Sequence, residues 1–246
     1  MGVYYNTGPI VRDGLVLCLD AGNSKSYPGS GTTWTDLSGN GNDASLTGTY
    51  SYIEGESFLF NDGAQLDGDG RATIDFGSIG TASPYTIECI FRINRYVFLS
   101  SSSNISAQIF SSGRTSGNFD EAFYLGRNGV SGEVQNAGLS WYDVGGADGP
   151  GGNSNNFIFL DNVYHTTVTI ENPGPVNFYI NGLFSVADTT SASNLRIDNI
   201  WSISNQPPGN NQGVDSNFYA VRVYNKILSE SEIKQNFNAL RGRYGL

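Results

Sequence analysis

The stretch Val163-Tyr164-His165-Thr166-Thr167-Val168-Thr169-Ile170, Glu171-Asn172-Pro173-Gly174-Pro175, Val176-Asn177-Phe178-Tyr179-Ile180, Asn181-Gly182, Leu183-Phe184-Ser185-Val186 decides the fold. Val163 to Ile170 is rich in β-branched residues and reads as a strand. Asn172-Pro173-Gly174-Pro175 then turns the chain, and Val176 to Ile180 runs into Asn181-Gly182. Asn-Gly between two apolar runs signals a tight hairpin, because both residues tolerate the positive φ of a type I′ turn.

Outward from this hairpin the same grammar repeats. Ile200 to Ser204 and Phe218 to Tyr224 supply two more strands. Upstream, Leu15, Leu17 and Leu19 alternate with Val16 and Cys18 in a first strand, followed by a Gly/Ser/Asn-rich loop from Ala21 to Asn42. Ser57 to Phe60 and Ala72 to Phe76 flank a Gly/Asp turn from Asn61 to Gly70. Tyr85 to Ile93 alternates cleanly: Ile87, Cys89, Phe91 and Ile93 form a core face, and Thr86, Glu88 and Arg92 form a face expected to meet solvent. Weaker strands at Gln108 to Phe110, Ala122 to Gly126 and Gly138 to Tyr142 lie among glycine-rich loops, of which Gly145 to Gly152 is expected to be exposed. Short strands without helix-strand alternation predict an all-β sandwich or closed barrel. The one helix expected is C-terminal. Ser229 and Glu232 form a capping box, Leu228 and Ile233 a hydrophobic staple, and Ile233, Phe237 and Leu240 a stripe that packs on the sandwich.

At 246 residues the chain is long enough for one well-buried core. Thirteen basic against 23 acidic residues leave a net charge of -10, which repels phosphate backbones and anionic membranes, so neither nucleic acid nor membrane insertion is expected. No apolar run is long enough to span a bilayer and no export leader is apparent. Cys18 and Cys89 sit in apolar runs and read as buried thiols, with a bridge between them as the alternative.

Three segments carry a family resemblance: Asp13-Gly14-Leu15-Val16-Leu17-Cys18-Leu19-Asp20-Ala21-Gly22-Asn23, the run Tyr27 to Asn42 with Trp34-Thr35-Asp36-Leu37-Ser38-Gly39-Asn40-Gly41-Asn42, and Val221 to Ile233. Together with Val163 to Thr169 and Val176 to Gly182 they resemble the concanavalin A-like, laminin-G-like domains, in wording similar to that of tailed-bacteriophage structural proteins. The resemblance implies a jelly roll of two antiparallel sheets with a short C-terminal α-helix, over residues 13–246. For the phage branch it implies a virion location with other virion subunits as partners.

The site residues follow from chemistry. Glycosidases of this fold need paired carboxylates aimed into one cleft, and no Glu-x-Asp-x-Glu occurs here, so no catalytic residue is assigned and no enzyme is expected. His165 lacks the companions of a triad and reads as structural. No cofactor is expected, with Ca²⁺ the one possibility, on Asp62, Asp67 and Asp69 of the oxygen-rich turn. A sugar site needs an aromatic platform with polar partners; the candidates are Trp141, Tyr142 and Asp143, with Trp34 and Asn210 as alternatives. Strand alternation exposes only one of Trp141 and Tyr142, and Trp141 in the core is an equal reading. Residues 1–12 form an N-terminal arm whose Tyr4, Tyr5, Ile10 and Val11 either dock on a neighbouring subunit or lie along their own sandwich. The function expected is a non-enzymatic virion structural protein, decorating the capsid or sitting on the tail. The alternative is a carbohydrate-binding adhesin that contacts host-surface glycans.

Overall fold

The computed structural model describes residues 9–61, 69–77, 84–98, 106–112, 121–126, 132–134, 136–143, 157–171, 174–192, 200–205 and 214–246. Its strands up to the middle of the chain are β1 (Leu15–Asp20), β2 (Thr33–Trp34), β3 (Ala44–Thr47), β4 (Tyr50–Ile53), β5 (Ser57–Phe60), β6 (Arg71–Asp75), β7 (Tyr85–Ile93), β8 (Tyr96–Phe98) and β9 (Ser106–Ser112). They continue as β10 (Glu121–Gly126), β11 (Gly132–Val134), β12 (Asn136–Asp143), β13 (Phe157–Phe159), β14 (Val163–Ile170), β15 (Gly174–Ile180), β16 (Leu183–Ala192), β17 (Ile200–Ile203) and β18 (Ser216–Tyr224). One helix, α1 (Glu230–Tyr244), follows.

The strands form two antiparallel sheets. Sheet A runs β16-β15-β14-β7-β18-β5-β4, with β1 also paired to β18, and sheet B runs β13-β12-β10-β9-β17-β6-β3-β2; β8 and β11 make a short ribbon. The expected jelly-roll sandwich is therefore present, and its hairpin β15–β16 turns on Asn181 and Gly182, both at positive φ. Gly182 serves twice, since a Cβ there would lie 2.9 Å from the side chain of Phe237 on α1. The turn between Ser57 to Phe60 and Ala72 to Phe76 does not close a hairpin: β5 pairs with β18 in sheet A, and β6 pairs with β3 and β17 in sheet B.

The inner faces pack on each other around aromatic side chains. Trp34 lies 4.7 Å from Phe58, Trp141 meets Tyr85 edge-on at 6.1 Å, and Phe110 stacks on Trp201 at 4.8 Å. The alternation in β1 is broken by a register shift between Leu15 and Leu17, so Val16, Leu17 and Leu19 enter the main core, and Leu15 and Cys18 face α1. Cys89 joins the main core, on the other face of sheet A from Cys18. Both thiols are free. With β18 between β1 and β7 they sit two strand spacings apart, about 9–10 Å, beyond the reach of a disulfide.

Helix α1 begins as its sequence predicts. Glu232 N–H donates to Ser229 Oγ, and Ser229 N–H donates to Glu232 Oε2 at 2.8 Å. Lys226 bridges Glu232 and Asp13 at 2.7 Å each, and at the far end Arg243 holds Asp20 at 2.7 Å. Leu228, Ile233 and Leu240 are buried as expected, but Asn236 is fully buried between them. No helix among the described residues is long and apolar enough to cross a membrane.

Candidate functional site

Three surfaces decide where chemistry is possible. The first is the free edge of β1, which the loop after Trp34 latches. Asp36 Oδ1 accepts from Cys18 N–H and Ser38 N–H at 2.8 Å each, and Oδ2 accepts from Ser38 Oγ and Asn42 N–H. Leu37 N–H donates to Cys18 O, Asn40 reaches Leu15 O and Asn42 reaches Val16 O. The Asp-Leu-Ser-Gly-Asn-Gly-Asn run thus satisfies backbone groups that an edge strand would otherwise present to another chain. Its oxygens are engaged by N–H and O–H donors, the opposite of what a cation site needs.

The second surface is the outer face of sheet A. Glu88, expected in solvent, is fully buried, because α1 lies over this face. Register places Cys18, Arg222, Glu88, Thr167 and Tyr179 in one row across β1, β18, β7, β14 and β15. Asn236 of α1 donates to Glu88 Oε2 at 2.9 Å and to the Tyr224 hydroxyl at 3.0 Å, and its Oδ1 accepts from Val11 N–H at 2.7 Å. His165 is equally buried, with Nε2 3.4 Å from Glu88 Oε1 and its ring 5.9 Å from that of Phe237. Burial works against the charge of Arg222, yet the acidic groups facing it, Cys18, Glu88 and Tyr224, hold the guanidinium above its ordinary value. Burial pushes the Tyr224 phenol up, and the Glu88 carboxylate adds to it. Among the described residues, Glu88 Oε1, both ring nitrogens of His165, Thr167 Oγ1, and Nε and Nη1 of Arg222 have no hydrogen-bond partner. At about 1–3 kcal/mol for each unsatisfied buried group, leaving all of these unmet would approach the whole stability of a domain.

The third surface is the outer face of sheet B. One register row crosses seven of its strands: Thr33, Ser45, Thr73, Ser202, Ser111, Ala122 and Tyr142. Thr33 and Ser45 are exposed, Thr73 is half-buried, and Ser202, Ser111 and Ala122 are buried. Ser111 Oγ donates to Asn205 O, whereas Ser202 Oγ and, in the adjoining row, Ser140 Oγ have no partner among the described residues. No described element packs on this face in the way α1 packs on sheet A.

The site residues read from sequence scatter over this frame. Trp34 and Trp141 are both fully buried in the core and offer no sugar platform, because Trp34 shares a face with Ala44 and Trp141 with Phe123 on the inner side of sheet B. Tyr142 stands at the end of the register row, and Asp143 is the direct cross-strand partner of Glu121 in the backbone register, a pairing that a search along single strands misses. Asn210, Asp62, Asp67, Tyr4 and Tyr5 lie outside the described residues. Asp69 is exposed and accepts from Thr49 N–H at 2.8 Å, and hydrogen bonds from Thr49 hold its carboxyl below the usual range. Among the described residues no three metal-ligating side chains gather. Ile10 and Val11 pack on their own domain beside Ile233 and Tyr224, and Tyr224 Oη donates to Val11 O, so Val11 is not free to dock on a neighbour.

The family model for the concanavalin A-like lectin/glucanases superfamily, of laminin-G type, matches residues 66–234. The chain belongs to this family. Among solved structures it is similar to Trypanosoma rangeli sialidase in complex with sialic acid, with TM-score 0.60 and 15% identity over 92% of this chain and 33% of that one. It is also similar to the receptor binding domain of botulinum neurotoxin C/D mosaic serotype, with TM-score 0.54 and 14% identity over 92% of this chain and 51% of that one. The chain thus spans about a third of the first and half of the second. No curated protein matches it in sequence. These likenesses show the fold, which an enzyme and a receptor-binding domain share. They overturn the expectation of a virion structural protein on capsid or tail, and with it the host-surface context of the adhesin alternative: the similar solved structures include sialidases and toxin receptor-binding domains, and the family match carries no phage context.

Proposed function

We propose that this chain is a non-catalytic, lectin-like recognition module that holds a hydroxyl-rich ligand, a glycan, on the outer face of sheet B. The observation that carries the reading is the register row that starts at Thr33 and runs through Ser45, Thr73, Ser202 and Ser111, hydroxyl-bearing throughout and exposed at its Thr33 and Ser45 end. Hydroxyls both donate and accept, as sugar hydroxyls do, and small side chains let a ring approach the sheet. The sialidase and toxin relatives support a recognition role through the fold they share with this chain.

Catalysis is disfavoured by the disposition of acids and phenols. Three described carboxylates of the regular elements are engaged in structure: Asp20 by Arg243, Glu88 by Asn236 and Glu232 by Lys226. Sialidases depart from the two-carboxylate rule by using a tyrosine nucleophile. The tyrosines with a resolved shift, Tyr27, Tyr179, Tyr219, Tyr224 and Tyr244, are all pushed up by burial, away from nucleophilicity. The Glu121–Asp143 pairing favours a second reading, a glycan hydrolase. Glycan-array binding and product release from neutral and sialylated oligosaccharides discriminate the two. Binding without turnover, lost in a folded Thr33→Val/Ser45→Val variant, is the expected result. Turnover abolished by Glu121→Gln or Asp143→Asn replaces the module with a hydrolase, and silence across the array refutes the glycan ligand.

A further inference from the structure

We propose that the layer between sheet A and α1 is an internal hydration site, in which ordered water bridges Arg222, Glu88, Thr167 and His165. Three of the four are direct neighbours in register, Arg222 opposite Glu88 and Glu88 opposite Thr167. His165 follows on the same face of β14, 3.4 Å from the Glu88 carboxylate. Their unpartnered atoms are chemically complementary: Nε and Nη1 of Arg222 only donate, Glu88 Oε1 accepts, and Thr167 Oγ1 and the His165 ring offer both kinds of group.

The charges select the ligand. Arg222 repels a metal cation and Glu88 repels an anion, which leaves a neutral molecule able to donate and accept. These side chains are buried, so that molecule is small, and water making several hydrogen bonds to otherwise unsatisfied buried groups fits the site. The same layer explains why Asn236, and not an apolar residue, stands in the middle of the helix's buried stripe: it caps Glu88 Oε2 from above and leaves Oε1 facing the layer. The site is independent of any ligand on sheet B.

A high-resolution crystal structure of the full chain tests this directly. Solvent density within hydrogen-bonding distance of Arg222, Glu88 and at least one of Thr167 and His165 is expected. A layer in which Arg222 pairs directly with Glu88 and no density bridges the remaining groups overturns the proposal. In solution, water ¹⁷O relaxation dispersion counts long-lived internal molecules. A Glu88→Met/Arg222→Met variant is expected to lose long-lived water relative to the wild type, and an unchanged dispersion amplitude in a folded variant also overturns it. Should that variant not fold, Thr167→Val with the wild-type density decides.

Discussion

The outer faces of the two sheets carry similar alternating sequence and meet opposite fates. On sheet A the residues of β7 that read as a solvent face are Thr86, Glu88 and Arg92, yet Thr86 is buried beneath the segment that leads into α1 and Glu88 beneath α1 itself. On sheet B the outward row is hydroxyl-rich, no helix among the described residues packs on it, and it is buried at Ser202 and Ser111 but exposed at Ser45 and Thr33 on β3 and β2. The contrast shows that strand periodicity assigns a face but not its environment. What covers a face is fixed by an element more than a hundred residues away.

The largest effect that tests the contrast is on Glu88. Removing one partner of a buried charge cluster leaves the other uncompensated, so Glu88→Ala should cost about 3–5 kcal/mol in urea unfolding, and Glu88→Met/Arg222→Met far less. Ser45→Ala, on the exposed end of the sheet B row, should change stability by less than about 1 kcal/mol. Equal costs at Glu88 and Ser45 would break the distinction between a sealed and an open face.

Much of this fold was legible because local rules and tertiary packing agree. The Asn181-Gly182 hairpin, the alternation of β7 and the Ser229–Glu232 capping box each stand where backbone chemistry alone puts them. The candidate site was less legible, for physical reasons. Trp34 and Trp141 carry the aromatic surface a sugar platform needs, but the same surface is what a core buries, and only the sheet register distinguishes the two. Glu121 and Asp143 become neighbours across strands, and Glu88 becomes buried through a helix distant in sequence.

The Asp36 latch sharpens the comparison at the rim of sheet A. Its carboxylate gathers the backbone of Cys18, Ser38 and Asn42, so Asp36→Ala should cost about 2–3 kcal/mol. Asp36→Asn, which keeps an acceptor, should recover part of this. Because the β1 edge is then unlatched, the alanine variant should also self-associate at lower concentration in light scattering. A monomeric variant of unchanged stability would mean that β1 needs no protection. Smaller still, Ser229→Ala removes the cap of α1 and should lower stability by about 1 kcal/mol. If the helix seals sheet A as one body, hydrogen exchange should rise along α1 in that variant and stay unchanged in β12.

The smallest effect separates the exposed and buried carboxylates that face α1. Glu232 is held below its ordinary value of 4.5, first by the hydrogen bond from Lys226 and further by Ser229. A carboxyl whose folded value lies below the unfolded one contributes stability that is fully present above the unfolded value. That contribution fades as pH falls through the folded one. The melting temperature of wild type should therefore exceed that of Glu232→Gln by a constant margin near neutral pH, and the two curves should converge below about pH 4.5. Added salt should narrow the same margin at neutral pH, since the Lys226 pair is open to solvent. The penalty of Glu88→Ala should hardly respond to salt, because its layer is not. A Glu232→Gln margin that persists unchanged to acid pH would show that capping geometry, and not charge, fastens the helix to the sheet.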